Sequence, residues 1–314
     1  MSAVVDHLSN LIRIPSISAI SNRPVIDYAA SVLTTHGWST HEISYVDESG
    51  TEKSNLIAAP PGQPVTERVV DLAFLCHTDT VPYAKEWTQA LHPVLRGDLL
   101  HGCGACDVKG FLACLLTAAK SPNVQWLKGL RIVLTADEEI GCIGSKYLIS
   151  AATLRPKRLV VGEPTSLRVA RAGKGYCLAR VAILGREAHS ALPGQGVSAI
   201  YAAAHLVSAL EQLSHELAAE IHTFFDPPFT TMNVGTIKGG SAKNIIPGHA
   251  ELLVEWRPTP GVSPGRIPLA IQEIMIQLQA QYPGLRASLT LLRQEAGFET
   301  TSESTLVRSI EKET

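Results

Sequence analysis

Leu130-Arg131-Ile132-Val133-Leu134-Thr135 runs directly into Ala136-Asp137-Glu138-Glu139-Ile140-Gly141-Cys142. The first six residues form a nearly continuous apolar run, the pattern of a strand buried on both faces. The next residues place two adjacent carboxylates at the end of that strand. Such a pair is costly to bury unless a positive charge lies between its members, and a metal ion is the simplest source of one. Glu138 and Glu139 leave a strand end in different directions, so one can hold metal while the other handles a proton.

A strand buried on both faces needs cover on both sides. Strands are expected over 42–46, 55–59, 69–76 and 158–162. Residues 1–13 carry Val4, Val5, Leu8, Leu11 and Ile12 at helical spacing and stop before Pro15; residues 24–36 repeat the pattern and end at Gly37. A short apolar helix over 109–120 is entered through Gly110. Strands alternating with helices predict an α/β sheet with helices on both faces. Beyond residue 170 the pattern changes. Strands over 175–184, 231–238, 250–256 and 285–293 and helices over 197–221 and 263–282 follow the order β-α-β-β-α-β, that of a ferredoxin-like α+β domain. This reads as residues 171–294 inserted into a catalytic part made of 1–170 and 295–314, with a last helix over 302–312.

Three further groups join the carboxylate pair. His77-Thr78-Asp79 follows a strand, where open α/β sheets build sites. Asp79 lies on the same side of an extended chain and can take the second ring N–H of His77; a strand-end His held in a turn is the plain alternative. Asp107 sits in Gly102-Cys-Gly-Ala-Cys-Asp-Val-Lys-Gly110, just before a helix. It reads either as an ordinary helix cap or as a carboxylate that bridges two metals. Glu163 follows a strand in Gly-Glu-Pro-Thr, where a solvated turn is the alternative. One His with several carboxylates suits zinc or a similar divalent metal in a hydrolytic site, and Glu138 then serves as general base.

The 314 residues are 45% hydrophobic and 18% charged, with a formal net charge of −2. That balance carries no footprint for nucleic acid or an anionic membrane. No apolar run approaches the roughly 18–20 residues of a spanning helix, and the N-terminus has no basic stretch leading into an apolar core. The six cysteines suggest no disulfide framework, so a cytoplasmic location is expected. Cys103-Gly-Ala-Cys106 is formally a CxxC, but a zinc knuckle would need a second pair; a redox pair is the other reading.

The stretches His77-Thr-Asp79-Thr-Val-Pro, Gly104-Ala-Cys-Asp107-Val-Lys-Gly, Asp137-Glu138-Glu139-Ile-Gly and Gly162-Glu163-Pro-Thr resemble, in order and spacing, the dinuclear zinc aminoacylase/carboxypeptidase family. The resemblance covers nearly the whole chain. It implies that Asp107 bridges two metals, that His77 and Glu163 complete one site, that Glu139 belongs to the other, that Glu138 is the base and that Asp79 orients His77. Zn2+ is the implied metal, one or two ions per subunit, with Co2+ as a substitute. His189, in Gly185-Arg-Glu-Ala-His-Ser-Ala-Leu-Pro-Gly, is similar to the family's lid His, which crosses a homodimer to support the oxyanion in the partner's site. Asn244 resembles a substrate-contacting Asn and Arg257 the Arg that binds the substrate's α-carboxylate; taken alone, His189 reads as an exposed loop residue and Arg257 as a surface one.

The implied reaction is removal of the acetyl group from an N-acetyl amino acid, N-acetylornithine of arginine biosynthesis foremost. N-acetylcitrulline, succinyl-diaminopimelate and general acylamino acids are the alternatives. Members of the family carry a later Gly-Thr-Glu-Ala-like stretch and an Ala-His motif whose His joins the metal of Glu139. The 314 residues contain neither, so the resemblance implies that a C-terminal part of the catalytic domain is missing, and a truncated, poorly active homologue is a further reading. Cys103 stands where relatives usually carry Arg, and nothing in the sequence explains it.

Overall fold

The Leu130–Thr135 run is the middle strand of a five-stranded sheet, and every one of its residues is buried. The computed structural model describes residues 2–313; Met1 and Thr314, the outer ends of the expected first helix and last segment, lie outside the described residues. In chain order, β1 is Ser39–Val46, β2 Glu52–Ala59, β3 Leu72–His77, β4 Leu130–Thr135 and β5 Leu159–Val161. The sheet is ordered β1-β2-β4-β3-β5. β1, β2 and β4 pair antiparallel, whereas β4, β3 and β5 pair parallel. Three strands therefore end on the same sheet edge.

Helices α1 (Ala3–Arg13), α2 (Arg23–Thr35) and α3 (Gly110–Ala118) share one core with the sheet. In that core Leu11, Ile26, Leu33, Leu112 and Leu116 meet Leu56, Ile132 and Leu134. Val133 points the other way, as strand alternation requires. It packs with Ala73 and with Leu148 of α4 (Ile143–Ser150). The sequence pattern does not announce α4, which is eight residues long and starts from Cys142 in a left-handed conformation, φ 56°. The strand expected over 69–76 is divided: Val69–Val70 pairs with Arg155–Pro156, and β3 starts afresh at Leu72. Between them, the Asp71 and Leu72 amides both donate to the Gly129 carbonyl, at 2.9 and 3.1 Å. β3 then extends one residue further than expected, so His77 is its last member.

The chain divides by internal contact into residues 1–167 and 168–314. The second unit holds β6 (Cys177–Leu184), α5 (Ala199–Ala218), β7 (Thr231–Gly239), β8 (His249–Arg257), α6 (Arg266–Gln281) and β9 (Arg286–Gln294). Its sheet is antiparallel throughout and ordered β7-β8-β6-β9, the ferredoxin-like arrangement. Alternate residues of β6 and β8 face inward, so Ala179, Val181, Ile183, Leu252, Val254 and Trp256 meet Leu206 and Leu210 of α5 and Ile267 and Ile271 of α6. Residues 295–314, which the sequence assigns to the catalytic part, lie within this unit: Phe298–Glu299 pairs with Ala172–Gly173, and the Thr300 amide donates to Arg171. The last helix, α7, spans Thr305–Glu311. Among the described residues no helix is long and apolar enough to cross a membrane.

Ile271 of α6 is fully buried. Truncation there removes contacts that the packed sheet cannot refill. Ile271→Ala is expected to destabilise the second unit by about 2–5 kcal/mol and Ile271→Val by about 0.5–1.5 kcal/mol, measured by urea unfolding followed by circular dichroism.

Candidate active site

Parallel pairing gathers the chemistry of the first unit. β3 ends at His77, β4 leads into Glu138 and Glu139, and β5 leads through Gly162 to Glu163. Carboxyl ends of adjacent parallel strands open on one edge, where α/β sheets bind ligands. Asp107 arrives from the glycine-rich loop. Gly104 has φ 72°, and a Cβ there would lie 2.7 Å from Thr80 Cγ2 and 3.0 Å from Lys109 Cδ. Only glycine lets the loop pass so close to the strand end. The Asp107–Val108 peptide bond is cis.

Asp107 caps no helix. No side-chain cap bond is present at the start of α3; Asp107 Oδ1 lies instead 3.0 Å from His77 Nε2. One ligand atom each from His77, Asp107 and Glu139 lies within 4.8 Å of the others, a spacing that can hold a metal ion. Glu163 is outside that group, so the structure joins Glu139 rather than Glu163 to His77 and Asp107. Glu163 still feels the cluster. Burial pushes its carboxyl up to about 7; His77 partly offsets this, and the charges of Glu138, Asp107 and Glu139 add to it. Glu139 is raised by burial and by Asp107. Burial alone would lower His77, but Asp79, Asp107 and Glu138 outweigh it and hold the imidazole up to about 9. One imidazole amid crowded carboxylates is a donor set that a divalent cation fits, because its charge relieves their repulsion.

The two glutamates take different partners. Glu138 Oε1 accepts the Cys142 thiol at 3.5 Å, while Glu139 joins the ligand group. Their backbone amides converge: those of Glu138 and Glu139 donate to Asp79 Oδ1 and Oδ2, at 3.0 and 3.2 Å. The Ser18 hydroxyl donates to Asp79 Oδ2 at 2.7 Å. Burial would raise the Asp79 carboxyl, but the bonds from His77, Ser18 and Glu138 hold it below the ordinary range. The expected His77–Asp79 pairing is modified. Nδ1 of His77 lies 3.0 Å from the Asp79 backbone carbonyl and 3.6 Å from Oδ1. Both the carbonyl and the carboxylate of Asp79 therefore face the ring nitrogen, the carbonyl more closely, and the carboxylate also grips the glutamate turn.

His189, Asn244 and Arg257 belong to the second unit. Ala188–His189 pairs with Ile245–Ile246, and the Ser190 amide donates to the Asn244 carbonyl at 2.9 Å, so His189 and Asn244 share one short ribbon. Nδ1 of the exposed His189 accepts the Ala191 amide at 3.2 Å, which assigns the ring proton of the neutral imidazole to Nε2. Arg257 ends β8. Its Nε donates to Glu255 at 2.8 Å and its guanidinium lies 4.1 Å from the centre of the Tyr176 ring. The His189 ribbon adjoins the start of β8, and Arg257 is eight residues along it, about 26 Å at 3.3 Å per residue. A cleft of about 760 Å³ beside the ribbon is lined by Arg186, Ser190, Tyr201, Lys243, Ile246 and Tyr282, among others.

Sequence reasoning did not reach Ser18, Cys142 or the residues that hold Asp137. Cys142 lies four residues after Glu138 and carried only a spacing signal; Ser18 carried none. Among the described residues, none of the six cysteines forms a disulfide, Cys103 being buried and Cys106 exposed.

A family profile described as a peptidase dimerisation domain matches residues 171–283. An acetylornithine deacetylase from Myxococcus xanthus is 42% identical over 303 residues, covering 96% of this chain and 79% of that protein. Another from Salmonella paratyphi B is 33% identical, covering 96% and 80%. In fold, the chain is similar to an aminopeptidase from Bacillus cereus, with TM-score 0.72, 20% identity and coverage of 98% and 81%. A metallo-carboxypeptidase of the M20 family from Sulfolobus solfataricus gives TM-score 0.68 at 17% identity, covering 99% and 84%. The chain belongs to the M20 family of metal-dependent peptidases and deacylases. Within that family, its curated similarity runs to the acetylornithine deacetylases.

A ligating imidazole must shed its Nε2 proton and a ligating carboxyl must be ionised. With His77 held up to about 9 and Glu163 up to about 7 in the metal-free chain, metal uptake displaces protons. Zinc affinity is expected to rise from about pH 6 to about pH 9. Calorimetric titration in buffers of different ionisation enthalpy should show proton release at pH 7; uptake without release would contradict these assignments.

Proposed function

We propose that this chain hydrolyses the amide of N-acetylornithine, releasing acetate and ornithine in arginine biosynthesis. The observation that carries the reading is the 42% identity to an acetylornithine deacetylase across 96% of the chain, together with the His77, Asp107 and Glu139 group at the ends of the parallel strands. His77, Asp107, Glu139 and Glu163 are the residues to hold metal, one or two Zn2+ per subunit, with Co2+ as a working substitute. A bound divalent cation supplies Lewis-acid polarisation and makes water a better nucleophile near neutral pH.

The chain's own residues do the rest. Glu138, beside the ligand group but outside it, takes the proton of the attacking water and returns it to the amine as the C–N bond breaks. Arg257, with its face on Tyr176 and its Nε on Glu255, offers its remaining guanidinium N–H groups to the substrate's α-carboxylate. Asn244 contacts the substrate beside His189. His189, whose proton sits on Nε2, donates to the oxyanion of the tetrahedral intermediate. His189 and Arg257 lie near opposite ends of one strand, so a small amino acid derivative meets both only if they come from different copies of the chain. That separation and the dimerisation-domain match support a homodimer with each site completed by its partner. The six cysteines, all free thiols among the described residues, support a cytoplasmic location.

Glu138→Gln in the zinc-loaded protein is expected to lower kcat by about 10²–10⁴-fold with KM changed only a few-fold. The parent chain should be assayed on N-acetylornithine, N-acetylcitrulline and N-succinyl-diaminopimelate. A higher kcat/KM on either of the last two would replace the substrate assignment. A zinc-loaded chain inert on all three would end the deacylase reading.

A further inference from the structure

Lys53 is fully buried in β2, and none of the site chemistry uses it. Its Nζ donates to the carbonyls of Ser18 and, at 2.9 Å, Ile20. The third direction of the ammonium faces Asp137, with Oδ1 at 3.0 Å in an ion pair whose angle does not make a hydrogen bond. Asp47 Oδ2 is more distant, at 3.7 Å. Asp137 is buried as well and stands directly before Glu138 with φ 56°, a conformation that a residue with a side chain seldom adopts. Its other oxygen accepts the Tyr45 hydroxyl at 2.8 Å, and Tyr45 stacks on Tyr147 of α4. Asn55 holds the same turn from the sheet side: Oδ1 accepts the Ala136 amide and Nδ2 donates to Gly144.

These contacts close into a ring. Lys53 grips Asp137; the chain continues to the Glu138 and Glu139 amides; both amides bind Asp79; Asp79 accepts Ser18; and the carbonyls of Ser18 and Ile20 return to Lys53. The segment 16–20 is also tied to the strand end, since the Ser18 amide donates to Thr80 and the Thr80 amide to Ser16. A buried lysine with three separate partners, two on one segment and one on the other, fixes the distance between them.

We infer that Lys53 is a positioning residue for the Glu138–Glu139 turn. It clamps Asp137 in its left-handed conformation and so sets the two glutamates, one as base and one as ligand, at their separate stations. The metal part of this inference rests on the function proposed above; the geometric part does not. Outer partners of metal ligands commonly change metal affinity or activity by about 10–100-fold when removed.

The test uses the full chain. Lys53→Met alone strands the Asp137 carboxylate, so the informative variant is Lys53→Met/Asp137→Asn, which removes both charges while keeping the shape. Global stability is followed by urea unfolding and local order by hydrogen exchange at the Glu138 and Glu139 amides. A positioning role predicts near-parental unfolding, at least tenfold lower protection of those two amides with core amides of β4 unchanged, and zinc affinity lowered about 10–100-fold in titration with Zn2+ alone. Parental protection at Glu138 and Glu139 would overturn the inference and leave Lys53 a structural ion pair. If the double variant does not fold, Lys53→Arg keeps the charge but alters the length and shape of the clamp; it should lower the same protection several-fold, and unchanged protection would overturn the inference equally. A parental chain that takes up no Zn2+ would refute the metal-site reading, whereas the exchange comparison would still decide the role of Lys53.

Discussion

Crowding of negative charge at the end of a parallel sheet is the constraint on which the first unit depends. Asp107, Glu138, Glu139 and Glu163 act on one another across a small space, and His77 is the group of opposite sign that most offsets them. Left to themselves, side chains in that position would turn toward water or take up protons. The structure prevents the first response by fixing the backbone. Asp79 binds two successive amides, Gly104 lets the Asp107 loop close over Thr80, and Asn55 bridges Ala136 and Gly144. The second response is visible in the raised carboxyls. A pre-set cluster that holds protons until a cation replaces them is a site organised ahead of its ligand.

Much of this was legible because the physics was local. Six buried residues in a row define Leu130–Thr135 to the residue, and strict alternation reveals β6 and β8. The metal-ligand candidates stand at strand ends or beside glycines, where chain geometry already narrows their direction. What stayed hidden depends on side chains meeting across sequence distance. A lysine in Thr-Glu-Lys-Ser-Asn reads as one more solvated charge, and only the folded sheet shows Lys53 enclosed by residues 16–20 and Asp137. The short helix α4 owes its start to a left-handed Cys142, which no periodicity announces. Whether the carbonyl or the carboxylate of Asp79 lies nearer the His77 ring turns on a difference of under 1 Å that sequence spacing does not encode.

The second unit obeys a different logic. Among the described residues, no charged side chain of this unit is buried, and the groups assigned to the substrate lie near the ends of its sheet. The ribbon with His189 and Asn244 occupies one end and Arg257 the other. A β-sheet is stiff along its strands, and the spacing between those groups is set by strand length rather than by loop adjustment.

That spacing has a consequence for how the activity responds to amount of protein. When each reaction centre draws groups from two copies, turnover depends on the population of assembled pairs, and that population falls with dilution by mass action. Specific activity then ceases to be a constant of the chain and becomes a function of its concentration. On the shared site proposed above, expression level would act as a throttle, with the length of β8 as its mechanical basis.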